Sequence, residues 1–147
     1  MWVWPDVIFE GDYGSYAVNE WIANPDAGAR VITIRGYSEG NFWRGMSAKG
    51  AADVPMYLDC RWEDTAPMSP ADPPPLLPDL PALTAQGAMD YVCINRHSGS
   101  INVAFLDSSV RKVGLKGLWK LKWHRTYKTD ALPPVWPAWM KNFGSYY

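Results

Sequence analysis

The amino-acid sequence predicts an α+β domain: a small antiparallel β-sheet, an amphipathic helix packed on it near the C-terminus, and long irregular loops. Three observations lead there. Short apolar runs rich in Val, Ile, Tyr and Phe recur between Gly, Pro, Asn and Asp, the punctuation of strands and turns. Leucines and tryptophans recur at helical spacing over residues 114–125. Seven prolines fall between Pro67 and Pro81, where neither a helix nor a central strand can persist.

With 147 residues, 48% of them apolar and 20% charged, the chain suits one folded domain covering 1–147 rather than a disordered segment. Nine Trp and eight Tyr are an unusual aromatic load. Such side chains bury large areas while keeping a polar handle, so they serve a small core or a contact surface. Net charge is −1, but it is unevenly spread. Residues 1–90 carry five Lys and Arg against thirteen Asp and Glu, and residues 91–147 carry nine against two. A dipolar molecule of this kind can join head to tail with copies of itself or with a charged neighbour.

The elements follow in order. Ser15-Tyr16-Ala17-Val18-Asn19-Glu20-Trp21-Ile22 reads as a strand or a short helix, and Asn24-Pro25-Asp26 as a turn. Val31-Ile32-Thr33-Ile34 is β-branched and extended, and residues 42–49 form one or two helical turns. Residues 54–60 form an apolar strand with Pro55 near its start, a tolerated place for proline. The Pro-rich stretch, residues 67–82, is a surface loop with polyproline II character. Residues 91–113 form a three-stranded antiparallel meander. Its first strand is 91–96, its second 101–106, where alternation sends Ile101, Val103 and Phe105 to one face, and its third 110–113. The helix over 114–125 buries Leu115, Leu118, Trp119 and Trp123 and turns Lys116 and Lys120 to solvent. A short helix over 135–143, with Pro137 in its first turn, ends the chain.

Around the meander the chain resembles the prepilin-type, processing-associated domain abundant in Planctomycetes and related bacteria. The resemblance rests on Asn95-Arg96-His97-Ser98-Gly99-Ser100-Ile101-Asn102-Val103-Ala104-Phe105-Leu106-Asp107. That signature is a His, nine residues, then Asp-Gly, with an Asn-Val-x-Phe core. Looser likeness extends over Ser15-Tyr16-Ala17-Val18-Asn19, residues 54–60 and the continuation to Arg125. The resemblance implies a pseudopilin-like head of a type II secretion or type IV pilus-related system: a non-catalytic structural subunit on the periplasmic or extracellular face. Its partners would be other pilin or pseudopilin subunits or the secretion machinery. Asn95, Arg96, His97, Gly99, Asn102, Phe105 and Asp107 would be its structural signature. Two departures stand out. Ser108 occupies the pattern's glycine position, and serine takes positive φ only at a cost of about 1 kcal/mol, so the turn is expected to be of another type, with the Asp107 side chain holding a backbone amide. The basic leader and apolar helix with which family members begin are not visible, so the chain is expected to be a head lacking its prepilin helix.

Candidate chemistry is sparse. His97 and Asp107 sit at opposite ends of one strand, too far apart to share a metal or hydrogen bond, so each is expected to hold its own turn, with Arg96 a surface or inter-subunit charge. Cys60 and Cys93 either form one disulfide or pack as buried thiols. Asp59, Cys60, Cys93, His97 and His124 are the right ligand types for zinc but lack paired spacing. Calcium is the other candidate ion, through Asp64, Asp72 and Asp79, and no further cofactor is implied. His124 suits the end of a helix, where a cation is favoured. No nucleophile elbow, phosphate-binding glycine loop, dinucleotide fingerprint or His-Glu-x-x-His occurs, so no enzyme activity is expected. Two alternative functions remain. Lys112, Lys116, Lys120, Lys122, Arg125 and Lys128 interleave with Trp119, Trp123 and Tyr127, which would suit nucleic acid binding over residues 111–128. Exposed Trp and Tyr rings would suit carbohydrate.

Overall fold

The protein's computed structural model describes residues 2–3, 13–14, 16–26, 36–45, 47–78, 87–131 and 134–144. The expected strand at residues 31–34 lies outside them.

A five-stranded mixed sheet with a few short helices organises the chain. Strands β1 (Trp2–Val3) and β2 (Tyr13–Gly14) pair as a separate antiparallel ribbon. The sheet proper is built from β3 (Tyr16–Asn19), β4 (Pro55–Asp59), β5 (Asp64–Thr65), β6 (Ser100–Phe105) and β7 (Val110–Gly114), in the order β5-β3-β4-β6-β7. Three of the four pairings are antiparallel, but β5 runs parallel to β3, so the wholly antiparallel expectation is corrected. After β4 the chain bends at residues 60–63, crosses the end of β3 and docks on its far side, where the Val18 amide donates to the Glu63 carbonyl at 3.2 Å.

Residues 16–22 are strand and helix in succession rather than one or the other. β3 ends at Asn19, whose side-chain oxygen accepts from the Trp21 amide and caps the 3₁₀ turn Glu20–Ile22. The helical turn expected over residues 42–49 lies earlier, at Glu39–Asn41. β4 begins with Pro55, as expected, and its register against β6 shifts between Pro55 and Tyr57, where proline brings no amide hydrogen to the ladder.

The meander is a hairpin instead. β6 and β7 pair in continuous register from Ser100↔Gly114 to Ala104↔Val110. The expected first strand does not form: its first two residues end α1 (Ala88–Val92), residues 93–96 are irregular, and β6 takes β4 as its other neighbour. Tyr91-Val92-Cys93-Ile94 is a strand-like composition overridden by tertiary context. The α1 turn sets Met89 and Val92 in the core, and its Tyr91 carbonyl accepts from the Arg61 amide at 3.0 Å.

The helix expected over 114–125 is a single 3₁₀ segment, Leu115–Lys120, followed by extended chain. Gly117 in its middle disfavours an α-helix, and Gly114 at its start offers no side-chain cap. Its apolar assignments hold: Leu115, Leu118, Trp119 and Trp123 are buried in one cluster with Ile101, Val103 and Phe105 of β6. Its polar face does not, because Lys116 is buried as well. The last helix is the 3₁₀ turn Ala138–Met140, with Pro137 at its N-cap, just ahead of the first turn. One cluster of buried residues reaches from Ala17 to Met140. No helix among the described residues is long and apolar enough to cross a membrane.

Candidate functional site

Arg96, His97 and Asn102 meet around one buried carboxylate, Asp59. Asp59, at the end of β4, is 1% exposed. One oxygen accepts the Asn102 amide at 2.7 Å and lies 2.9 Å from His97 Nε2. The other lies 3.5 Å from the Arg96 guanidinium, which also donates to the Cys60 carbonyl at 3.1 Å. The paired register of β4 and β6 ends at Leu58↔Val103, so the carboxylate extends the junction by one residue where the ladder stops. A buried carboxylate is tolerable only when paired and hydrogen-bonded, and His97, Arg96 and the Asn102 amide supply that.

The loop between α1 and β6 is shaped to deliver these groups. Asn95 accepts the Gly99 amide at 2.7 Å. The His97 amide and the Ser100 hydroxyl close the turn from both sides, at 3.1 and 2.7 Å. Ser98 and Gly99 both have positive φ, 56° and 88°. A side chain at Gly99 would be strained by that φ, and its Cβ would stand 2.9 Å from the Phe143 ring. Asn102 Nδ2 lies 3.0 Å from His97 Nε2. His97 thus ties β6 to β4 through Asp59 as well as closing its own turn, and Arg96 is engaged inside the subunit rather than held out as a surface charge.

Asp107, beyond the far end of β6, behaves as expected. Its carboxylate accepts the Ser109 amide at 3.0 Å and the Ser109 hydroxyl at 2.7 Å, and these bonds hold it below the usual carboxylate range. The loop has three residues, Leu106-Asp107-Ser108, closed by Phe105 N–H to Ser109 C=O at 2.8 Å. Ser108 nevertheless has φ 70°, so serine takes the left-handed position that the sequence argument expected it to avoid. Phe105 is fully buried, with the Arg111 guanidinium 3.6 Å from its ring centroid.

The two cysteines are free buried thiols. Burial pushes Cys60 up to about 12 and raises Cys93 as well, so both stay protonated and packed; Cys93 Sγ lies 3.8 Å from Met140 Sδ. Of the five zinc candidates, Asp59 and His97 pair with each other. His124 lies elsewhere, against Trp21, with Nε2 3.0 Å from the Met68 carbonyl, and burial lowers its pKa. It is buried rather than set out at a helix end. Among the calcium candidates, Asp72 accepts the Met68 and Ser69 amides, Asp64 lies in β5, and Asp79 is outside the described residues. Among the described residues no three His, Cys, Asp or Glu side chains come together to hold a metal ion.

The basic row over residues 111–128 is dismantled by the fold. Lys116 donates to the carbonyls of Lys141 and Phe143 at 3.2 and 2.8 Å, just past the last 3₁₀ turn. Lys120 donates to those of Thr129 and Ala131 at 3.0 and 3.1 Å. Trp119, Trp123 and Tyr127 are buried and offer no stacking face. Lys112, Arg125 and Lys128 remain exposed, and Lys122 partly so. Among the described residues the prominent exposed aromatic rings are Tyr16 and Tyr57, on adjacent sheet strands.

Compared with protein-family models, curated proteins and solved structures, the chain matches none. Its own geometry is therefore the guide to its working parts.

Two of those parts escaped sequence reasoning. Asn19 is fully buried and donates to the carbonyls of Pro55 and Trp123 at 2.9 and 3.0 Å, joining β3, β4 and the chain beyond the 3₁₀ segment. Over its described residues, 67–78, the Pro-rich loop is irregular, as expected, but it is held down. Trp21, Trp119 and Trp139 donate their indole N–H to the carbonyls of Pro67, Asp72 and Pro75 at 3.0, 2.8 and 2.9 Å. Arg61 reaches the Pro78 carbonyl at 3.2 Å. The signal was present: a proline-rich segment has carbonyls without matching amides, and the sequence is rich in the one residue that pairs a large apolar body with a single donor.

Proposed function

We propose that the chain is the head of a pseudopilin-like envelope protein, a non-catalytic structural subunit that works through contacts with other subunits or with a secretion machinery. The observation that carries this reading is how the signature residues are used. Asn95, Arg96, His97, Gly99 and Asn102 fix one loop and join β6 to β4 through Asp59, and Asp107 closes the hairpin at the other end of the same strand. On this reading a His and an Asp with nine residues between them mark the two ends of a scaffold strand. The antiparallel core β4-β6-β7, with residues 115–123 contributing to the same buried cluster, supports the head-like packing that the resemblance implies. The uneven charge along the sequence suits head-to-tail assembly.

The test is made on the native gene product in its own cells. It should fractionate with the envelope and cross-link to itself or to neighbouring subunits, and the coding sequence upstream of Met1 should hold a basic leader followed by about twenty apolar residues. A native product found free in the cytosol and cross-linking to nothing would end this reading.

A further inference from the structure

Where residues 43–45 and 47–50 meet the extended chain after the 3₁₀ segment, an open cleft of about 510 Å³ is lined by Trp43, Ser47, Ala48, Lys49, Lys122 and Arg125. Three of its six lining residues are cations and none is acidic. Like charges gathered around one hollow repel each other and raise its positive potential. The nearest acids in sequence are engaged elsewhere: Glu39 lies 3.4 Å from Arg44, and Asp53 lies 3.2 Å from Arg111. Lys49 and Arg125 are exposed, and no hydrogen bond or ion pair engages either side chain. Lys122 uses one of its three donors on the Lys49 carbonyl at 3.3 Å and stands 5.9 Å from the Trp43 ring centroid.

The walls are set before any ligand arrives. Trp43 donates its indole N–H to the Trp123 carbonyl at 3.1 Å. The Arg125 amide donates to the Asn41 carbonyl at 3.0 Å and the Lys122 amide to the Asp53 carbonyl at 2.8 Å. Gly50, with φ 80°, turns the loop so that the lysine stem passes over it; a Cβ there would meet Lys122 Nζ at 3.2 Å. Two chain segments distant in sequence are thereby locked together with their cations on one hollow and a half-buried indole beside them.

We propose that this cleft binds a phosphate monoester, its oxyanion held between Lys49, Lys122 and Arg125 and assisted by the Ser47 hydroxyl. A doubly charged tetrahedral anion uses several donors at once, and charge-assisted bonds are the strong ones. The inference is independent of the head assignment, since it rests only on these side chains.

The test is calorimetric titration of the whole chain at low ionic strength with three probes: inorganic phosphate, adenosine 5′-monophosphate and glucose 6-phosphate. Saturable one-to-one binding of at least one ester is expected, weakening steeply with added salt. Lys49→Ala and Arg125→Ala should each weaken it about tenfold. Both residues are exposed and unpartnered, so their variants should melt with the parent. Lys112→Ala, on β7 outside the cleft, should leave the affinity unchanged. Preference for the adenine ester would identify a nucleotide as the source, through stacking on Trp43, whereas equal affinity for the two esters would point to the phosphate alone and to phosphorylated sugars equally. The proposal is overturned if neither ester gives saturable binding, or if Lys112→Ala weakens binding as much as Lys49→Ala and Arg125→Ala do.

Discussion

Removing the Asp59 carboxylate should unfasten the junction of β4 and β6. Its two short partners, the Asn102 amide at 2.7 Å and His97 Nε2 at 2.9 Å, each contribute about 1.5–3 kcal/mol as hydrogen bonds to a charged acceptor. Arg96, at 3.5 Å and with its side chain 23% exposed, adds little beyond that. Asp59→Ala loses both short bonds and leaves the half-buried Asn102 amide without its acceptor, so we expect a loss of about 4 kcal/mol, within the range for breaking a buried pair. Asp59→Asn keeps one acceptor of the same shape and should lose about 2 kcal/mol. At about 3 °C per kcal/mol for a chain of this length, the melting temperature should fall by about 12 °C and 6 °C respectively. Urea titrations of both variants, with a double-mutant cycle to His97→Ala, make the measurement. A coupling above about 1 kcal/mol between positions 59 and 97 is expected, because they touch. Losses below about 1 kcal/mol for both Asp59 variants, or strict additivity with His97→Ala, would show that the carboxylate is not what holds the signature together.

Further outcomes follow from single positions. Ser108→Gly should stabilise by up to about 1 kcal/mol in urea unfolding, because φ 70° costs serine what glycine is spared; a destabilised variant would refute the strained turn. Gly99→Ala should lose about 2 kcal/mol or more, from positive φ and the close Phe143 ring, and an unchanged midpoint would contradict that packing. Under native conditions neither Cys60 nor Cys93 should react with a thiol reagent, and both should react in denaturant; two unreactive thiols in denaturant would instead mean a disulfide. Burial lowers the His124 pKa below its ordinary 6.5, so the unfolded chain binds the proton more tightly. Its contribution therefore destabilises as pH falls through 6.5, and thermal melts between pH 7.5 and 5.5 should slope less steeply for His124→Gln than for the parent; equal slopes would exclude it.

Much of the sheet was legible because alternation is a local signal. Ile101, Val103 and Phe105 point to one side because strand geometry leaves no other choice, and β4 could be read from its apolar run with proline at the start. What failed were the places where a distant partner decides. Residues 91–94 are good strand formers, yet α1 runs into them and β6 finds β4 instead. Lys116 occupies a position that a helical wheel turns outward, but a 3₁₀ segment with three residues per turn changes the faces, and the carbonyls of Lys141 and Phe143 draw the ammonium inward. The site was half legible for the same reason. His97 and Asp107 are prominent in sequence, whereas the partner that gives His97 its role is a carboxylate 38 positions earlier.

The aromatic load and the proline-rich segment, which look like separate peculiarities of composition, explain each other. Proline removes amide donors from residues 67–78 while leaving every carbonyl, so a segment lying on the core would bury acceptors with nothing beside them to satisfy them. Water could solvate those carbonyls only if the segment stood clear of the core, and Pro67, Pro74 and Pro75 are buried. The alternative is donors that arrive from the core itself on large apolar bodies. Trp21, Trp119 and Trp139 supply these at Pro67, Asp72 and Pro75, His124 lies within reach of Met68, and Arg61 reaches Pro78. Each indole covers apolar surface and satisfies one carbonyl in the same stroke, which a leucine could not do and a lysine could do only by burying charge. A loop whose composition would suit a proline-recognising domain is here bound by its own molecule, and among its described residues Met68, Ala71, Pro73, Leu76 and Leu77 stay exposed.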